Sequence, residues 1–199
     1  MPQAGKLQQI GTIALIALGA NLPSRLGPPD ATLRHALDAL PAEGVRILRA
    51  SRLYATPCFP PGAGPDYVNA AAMVETTRDA AALMAHLHAI EARHGRVRGA
   101  RWGMRALDLD LIAHGAQVLP DAATFAAWRD LPAAEQVRRT PDRLILPHPR
   151  LQDRGFVLVP LAEIAADWRH PVSGESVAGM CAALGPEARA QIRPKIGSS

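Results

Sequence analysis

Residues 66–112 read DYVNAAAMVETTRDAAALMAHLHAIEARHGRVRGARWGMRALDLDLI, and this stretch decides the fold. Residues 66–76 read as a strand, weakened by the run Ala70, Ala71, Ala72. Residues 78–94 read as a helix with Leu83, Leu87 and Ile90 on one inward stripe, stopped by Gly95. Residues 106–112 read as another strand. Side chains alternate faces along a strand, so Leu107, Leu109 and Leu111 pack one way and Asp108 and Asp110 project the other.

Upstream, residues 12–18 (TIALIAL) are short and apolar, and Gly19 and Asn21 end them, as for a buried strand. Asp30 is placed to cap a helix that carries Leu33, Ala36, Leu37 and Leu40 on one stripe. Pro41 and Gly44 stop it. Residues 45–54 read as a second strand, and 55–65 as a loop with four prolines and two glycines. The order is β-α-β-β-α-β. An α+β, ferredoxin-like core follows: a four-stranded antiparallel sheet with two helices on one face and additional C-terminal elements. One domain is expected, with its core over about 12–172 and an insertion over about 117–142. Inside the insertion, 121–129 reads as a short helix. Residues 156–164 are an apolar stretch, and the tail 185–199 is expected to fray.

The chain has 199 residues, 48% of them apolar and 20% charged, which suits a globular domain and excludes wholesale disorder. No run approaches the roughly 20 apolar residues that span a bilayer. Residues 10–20 resemble a signal peptide only in being apolar: one cation precedes them and no small-x-small cleavage site follows. Two distant cysteines, Cys58 and Cys181, make neither a disulfide framework nor a four-ligand zinc site, so a reducing cytoplasm is expected. Arginine outnumbers lysine 20 to 2. A GC-rich genome accounts for part of that bias. Its distribution points further: Arg93, Arg96, Arg98, Arg101 and Arg105 fall within 13 residues with no acid among them. A solvated helix face normally interleaves opposite charges. Guanidinium forks bind phosphate and carboxylate in pairs of hydrogen bonds.

This arginine loop leads directly into the strand with Asp108 and Asp110. Two carboxylates side by side repel unless a cation lies between them. Paired carboxylate oxygens suit Mg²⁺, which keeps waters and shares its other positions with phosphates. A solvent-exposed strand face is the plain alternative, but Asp is a poor strand former. Arginines beside a metal-binding pair make sense if a polyphosphate lies between them. The chain lacks a Walker A motif, and Lys6 and Lys195 are its only lysines, so P-loop chemistry is excluded. Asn69 offers a donor and an acceptor side by side, matching the polar edge of a guanine-like or pterin-like ring. Tyr67 can supply a stacking face. His148, between two prolines and near Arg143 and Arg154 in sequence, fits a phosphate contact. Taken singly, Tyr67 reads more readily as packing, Asn69 as a turn or edge residue, and His148 as structural.

The segments ALGANL, SRLYATP, PDYVNAA, IEARHGRVRGARWGMRALDLDL and LPHPRLQDRGFVLVPLAEIAADW occur in that order over about residues 12–172. Together they resemble 6-hydroxymethyl-7,8-dihydropterin pyrophosphokinase of folate biosynthesis. The resemblance implies transfer of pyrophosphate from ATP to the pterin's hydroxymethyl group, with release of AMP. It implies two Mg²⁺ ions on Asp108 and Asp110, and ATP as co-substrate. Tyr67 and Phe156 would sandwich the pterin, and Asn69 with Thr56, Pro57, Cys58 and Phe59 would read its edge. Arg96, Arg98, Arg101, Arg105, Arg143, His148 and Arg154 would line the ATP and phosphate path. Trp102 would belong to a catalytic loop, Glu91 would orient the site, and His88 stands where the family usually has Gln. Met104, Ala106, Ala20 and the Cys58–Phe59 pair also depart from the usual pattern, which bears on rates and loop rigidity rather than on the reaction. ATP and the pterin are the expected partners; no nucleic acid, membrane or obligate protein partner is expected.

Two other readings compete. RNA-recognition modules share this topology, but they stack bases on aromatics of the two central strands. Here those strands offer Tyr67 alone, and Asp108 and Asp110 would repel a phosphate backbone. A catalytically weakened paralogue that still binds pterin and ATP is the second, motivated by Met104, Ala106 and Cys58.

Overall fold

The structure, a computed structural model, describes residues 11–58, 64–94, 106–132, 135 and 138–195. Strand β1 (Thr12–Ala20) is central. It pairs antiparallel with β4 (Tyr67–Thr76) on one side and β5 (Asp108–His114) on the other. The other edge of β4 is shared by β2 (Val45–Ala50) and β3 (Tyr54–Thr56). Helices α1 (Pro29–Ala39) and α2 (Ala80–Arg93) are the crossovers. The ferredoxin-like fold expected from sequence is observed, with β2 and β3 together in the place of its second strand and the sheet six-stranded rather than four-stranded.

Alternation along the strands sorts the two faces. Ala14, Ile16, Leu18 and Ala20 of β1 join Val68, Ala70, Ala72 and Val74 of β4 and Leu109 and Leu111 of β5 in one core. Leu33, Ala36 and Leu40 of α1 and Leu83, Leu87 and Ile90 of α2 close it. The opposite face carries Leu15, Ala17, Ala71 and Ile112. Helix α4 (Gly155–Ala165) and helix α5 (Val177–Ala183) cover it with Val157, Leu158, Leu161, Ile164, Val177 and Met180. The apolar stretch at 156–164 is thus a buried helix, and the sheet lies between two helical layers. Asp108 and Asp110 register with Gly19 and Ala17 of β1, on the α4 side.

Three expectations are corrected. The strand read over 45–54 is broken in two, and Tyr54–Thr56, whose last two residues were assigned to a loop, is a strand. Ser51 bridges the break: its N–H donates to the Ala71 carbonyl, and its Oγ accepts from the Ala71 N–H at 2.9 Å. A side-chain oxygen stands in for a ladder carbonyl, so the chain shifts register without orphaning Ala71. The tail does not fray over its described part. Helix α6 (Gly185–Ala190) leads into β6 (Arg193–Pro194), which pairs with Tyr54 and Ala55. The Lys195 ammonium then binds the Asp30 carboxylate at 2.7 Å.

The segment expected to be an insertion is packed over its described part around α3. Asp121 caps α3 (Ala122–Arg129) by accepting from the Thr124 N–H at 2.8 Å. Phe125 is fully buried, with its ring centroid 5.5 Å from that of His170. Leu119 and Leu146 tie the two ends together by reciprocal backbone hydrogen bonds. Among the described residues, no helix is long and apolar enough to cross a membrane.

Candidate active site

One row of the sheet runs Asp108, Gly19, Asn69, Tyr54 across β5, β1, β4 and β3. Gly19 matters because it has no side chain. A Cβ there would lie 3.0 Å from Asn69 Oδ1. Its absence leaves a shallow floor between an amide on one side and a carboxylate on the other.

On the amide side, Asn69 is buried, and its Nδ2 donates to Thr56 Oγ1 at 2.7 Å. With its lone pair so engaged, the Thr56 hydroxyl retains a proton to donate. Asn69 Oδ1 remains an acceptor beside it. Tyr67 registers with Thr56 and is half-buried. Beyond them Pro57 is exposed and Cys58 buried, and the Cys58 N–H donates to Asp66 Oδ1 at 3.2 Å. Phe59 lies outside the described residues.

On the carboxylate side, Arg154 Nη1 donates to Asp110 Oδ2 at 3.1 Å. The same guanidinium stands 5.7 Å from the Phe156 ring centroid. Phe156 is 41% exposed, unusual for so large an apolar side chain. Arg154 opens α4, so one helix start aims a cation at β5 and leaves an aromatic ring uncovered.

His148 is tied to the same strand: its N–H donates to the Ile112 carbonyl at 2.8 Å. Its Nδ1 accepts from the Arg150 N–H at 3.2 Å, which puts the ring proton on Nε2. Burial, then the charges of Arg154 and Arg150, push the imidazole down to about 3, with Asp108 acting weakly the other way. His148 is therefore a neutral Nε2–H donor near neutral pH.

Glu91 lies behind β5, on α2. It is 1% exposed, and its Oε1 accepts from the Leu109 N–H at 2.8 Å. His88 sits three residues earlier on the same helix, half-buried. Arg143 is exposed and pairs with its neighbour Asp142 at 3.2 Å. Arg96, Arg98, Arg101, Trp102 and Arg105, with the departure at Met104, lie outside the described residues. Gly19 and Arg150 belong to quoted segments but carried no assignment from sequence. Gly19 shows its value only in the strand register, and Arg150 only in its surroundings.

Among the described residues no cluster of three or more His, Cys, Asp or Glu side chains is placed to hold a metal ion. Among the described residues, a cation held by Asp108 and Asp110 would complete its shell with water and ligand oxygens. That suits Mg²⁺, which takes few protein ligands, and not a zinc site, which takes at least three.

The architecture defines a class first. It matches solved structures such as Plasmodium falciparum HPPK-DHPS wild type, with a TM-score of 0.62 over 89% of this chain at 13% identity. At that identity the likeness establishes the ferredoxin-like fold. This chain spans only 42% of that longer one. In sequence, residues 15–166 match the family 7,8-dihydro-6-hydroxymethylpterin-pyrophosphokinase. Proteins called 2-amino-4-hydroxy-6-hydroxymethyldihydropteridine pyrophosphokinase are similar over most of this chain. The one from Synechocystis is 37% identical over 82% of this chain and 72% of its own. Those from Pseudomonas aeruginosa and Methylorubrum extorquens are 38% and 36% identical, covering 78% and 88% of this chain and 82% and 95% of their own. The chain belongs to the 7,8-dihydro-6-hydroxymethylpterin-pyrophosphokinase family.

Proposed function

We propose that this protein transfers the pyrophosphoryl group of ATP to the hydroxymethyl group of 6-hydroxymethyl-7,8-dihydropterin in folate biosynthesis. The hydroxyl oxygen attacks the β-phosphorus, the bond from that phosphorus to the α-phosphate's bridging oxygen breaks, and AMP leaves. The observation that carries the reading is the single floor on which an amide edge and a carboxylate–cation cluster flank Gly19. Family membership names the pterin that such a floor would serve. Among the described residues, nothing favours the RNA-binding or weakened-paralogue alternatives.

The pterin belongs on the Asn69 side. Thr56 Oγ donates and Asn69 Oδ1 accepts, a complementary pair for the ring's amide-like edge. Tyr67 and Phe156 supply faces for stacking, and Pro57, Cys58 and Phe59 border the edge. The triphosphate belongs on the Asp110 side. Arg154 neutralises charge there, and His148 Nε2–H donates without adding charge. Arg96, Arg98, Arg101 and Arg105, with Arg143 and Trp102, complete the phosphate path in this proposal, beside His88 and Glu91.

Asp108 and Asp110 would hold Mg²⁺, two ions being expected. When bound, it supplies positive charge to the phosphate oxygens that gain charge in the transition state. The protein's own task is alignment: a hydroxyl and a phosphorus held in line gain most of their rate from position. An assay of AMP formed from ATP tests the reading. AMP should appear only when hydroxymethyldihydropterin, ATP and Mg²⁺ are all present. AMP formation independent of the pterin would overturn it.

A further inference from the structure

Arg150 is a cation that nothing described so far uses. Its backbone N–H holds the His148 ring, so its Cα is fixed beside the phosphate side of the floor. Its side chain makes no ion pair or hydrogen bond among the described residues, although Asp153 lies close enough to act on its charge. Its Nε is buried with no partner. Partial burial and the neighbouring Arg154 charge both work against the cation. Two guanidiniums thus share one corner, one paired with Asp110 and the other with its buried Nε unpartnered among the described residues.

A buried donor left unpaired destabilises the protein, and like charges nearby add to that. Such an arrangement is paid back when an anion binds. A surface arginine without function would swing into water or pair with Asp153. We propose that Arg150 is a nucleotide-binding residue whose guanidinium, with that of Arg154, binds the phosphate chain of ATP. This rests on the reading of the site as a pyrophosphokinase. It adds one phosphate contact from the segment that also carries His148.

The test uses the full-length protein with the non-hydrolysable analogue α,β-methylene-ATP, its Mg²⁺ complex, and the pterin substrate as separate titrants. Arg150→Gln should weaken the analogue at least tenfold and leave the pterin Kd within about twofold. Arg150→Lys should fall between the two. The apo-protein's melting temperature should stay level or rise in Arg150→Gln, because an unpaired donor and a like-charge contact are removed. Unchanged analogue affinity in Arg150→Gln would overturn the proposal. So would a lowered melting temperature with loss of both ligands, which marks a packing role. Failure of the parent protein to bind the analogue would instead overturn the underlying reading of the site.

Discussion

The Glu91 carboxylate accepts a hydrogen bond from the Leu109 N–H at 2.8 Å, between helix α2 and the strand that bears Asp108 and Asp110. Strand β5 is an edge strand, with β1 as its neighbour on the other side. An edge leaves N–H groups without ladder partners. A buried side chain satisfies this one, and so fixes the height and twist of β5 where its two carboxylates emerge. Glu91→Ala should orphan a buried donor and lower stability by about 1–3 kcal/mol. Glu91→Gln keeps an acceptor and should restore most of that loss. Urea unfolding of both variants checks this; equal losses would show that charge, not acceptance, is what the site needs.

Asp108→Asn and Asp110→Asn should each reduce turnover by orders of magnitude, because both carboxylates are proposed to hold the cation. Asp110 is paired with Arg154, about a third exposed, and loss of that pair in Asp110→Asn should cost at most about 1 kcal/mol. Thermal melts beside steady-state rates separate the effects. Near-parental turnover at saturating Mg²⁺ would refute the metal assignment.

Asn69→Ala should weaken pterin binding by about 1–3 kcal/mol, because it strips the acceptor from the floor and frees Thr56 to rotate. ATP-analogue affinity should hold. The opposite pattern in equilibrium titrations would mean that the two sides of the floor are exchanged.

His148 gives a pH signature. Its folded value is about 3, against about 6.5 when exposed. The unfolded chain takes up a proton below about 6.5 that the folded one refuses until about 3. Stability from this group is therefore complete above 6.5 and declines as pH falls toward 3. His170, lowered chiefly by burial, acts in the same direction. His148→Gln should flatten the dependence of unfolding free energy on pH between 4 and 6 by up to about 1.4 kcal/mol per pH unit. An unaltered slope would contradict the neutral-donor assignment.

The insertion's role should be packing. Phe125→Ala empties a fully buried ring site against His170 and should cost about 3–5 kcal/mol. The Michaelis constant for ATP should stay within about twofold. A large rise in that constant, with stability preserved, would mean that the insertion acts on the nucleotide instead.

Periodicity carried much of the fold. TIALIAL and the alternation LDLDL are strands, and Leu83, Leu87 and Ile90 mark the buried face of α2. What escaped was made by tertiary contacts. The break at Ser51 depends on a side chain replacing a ladder carbonyl. Strand β6 is two residues long and exists because β3 offers it an edge. Pro160 sits inside α4, where proline normally argues against a helix. For the site, Asp108, Asp110 and Asn69 were legible because each is a poor fit to an ordinary strand. Glu91 was legible only through the resemblance, and its partner, a backbone N–H, has no letter in the sequence. The arginine loop, legible as a charge run, falls outside the described residues.

The account's central claim is transfer of a diphosphate as one unit to the pterin hydroxymethyl group. Phosphorus NMR of a reaction containing ATP, Mg²⁺ and hydroxymethyldihydropterin tests it most directly. The account predicts AMP and a pterin diphosphate, formed in equal amounts, with the pterin-linked phosphorus split by its neighbour. ADP with a pterin monophosphate, or AMP with free pyrophosphate and unmodified pterin, would contradict it.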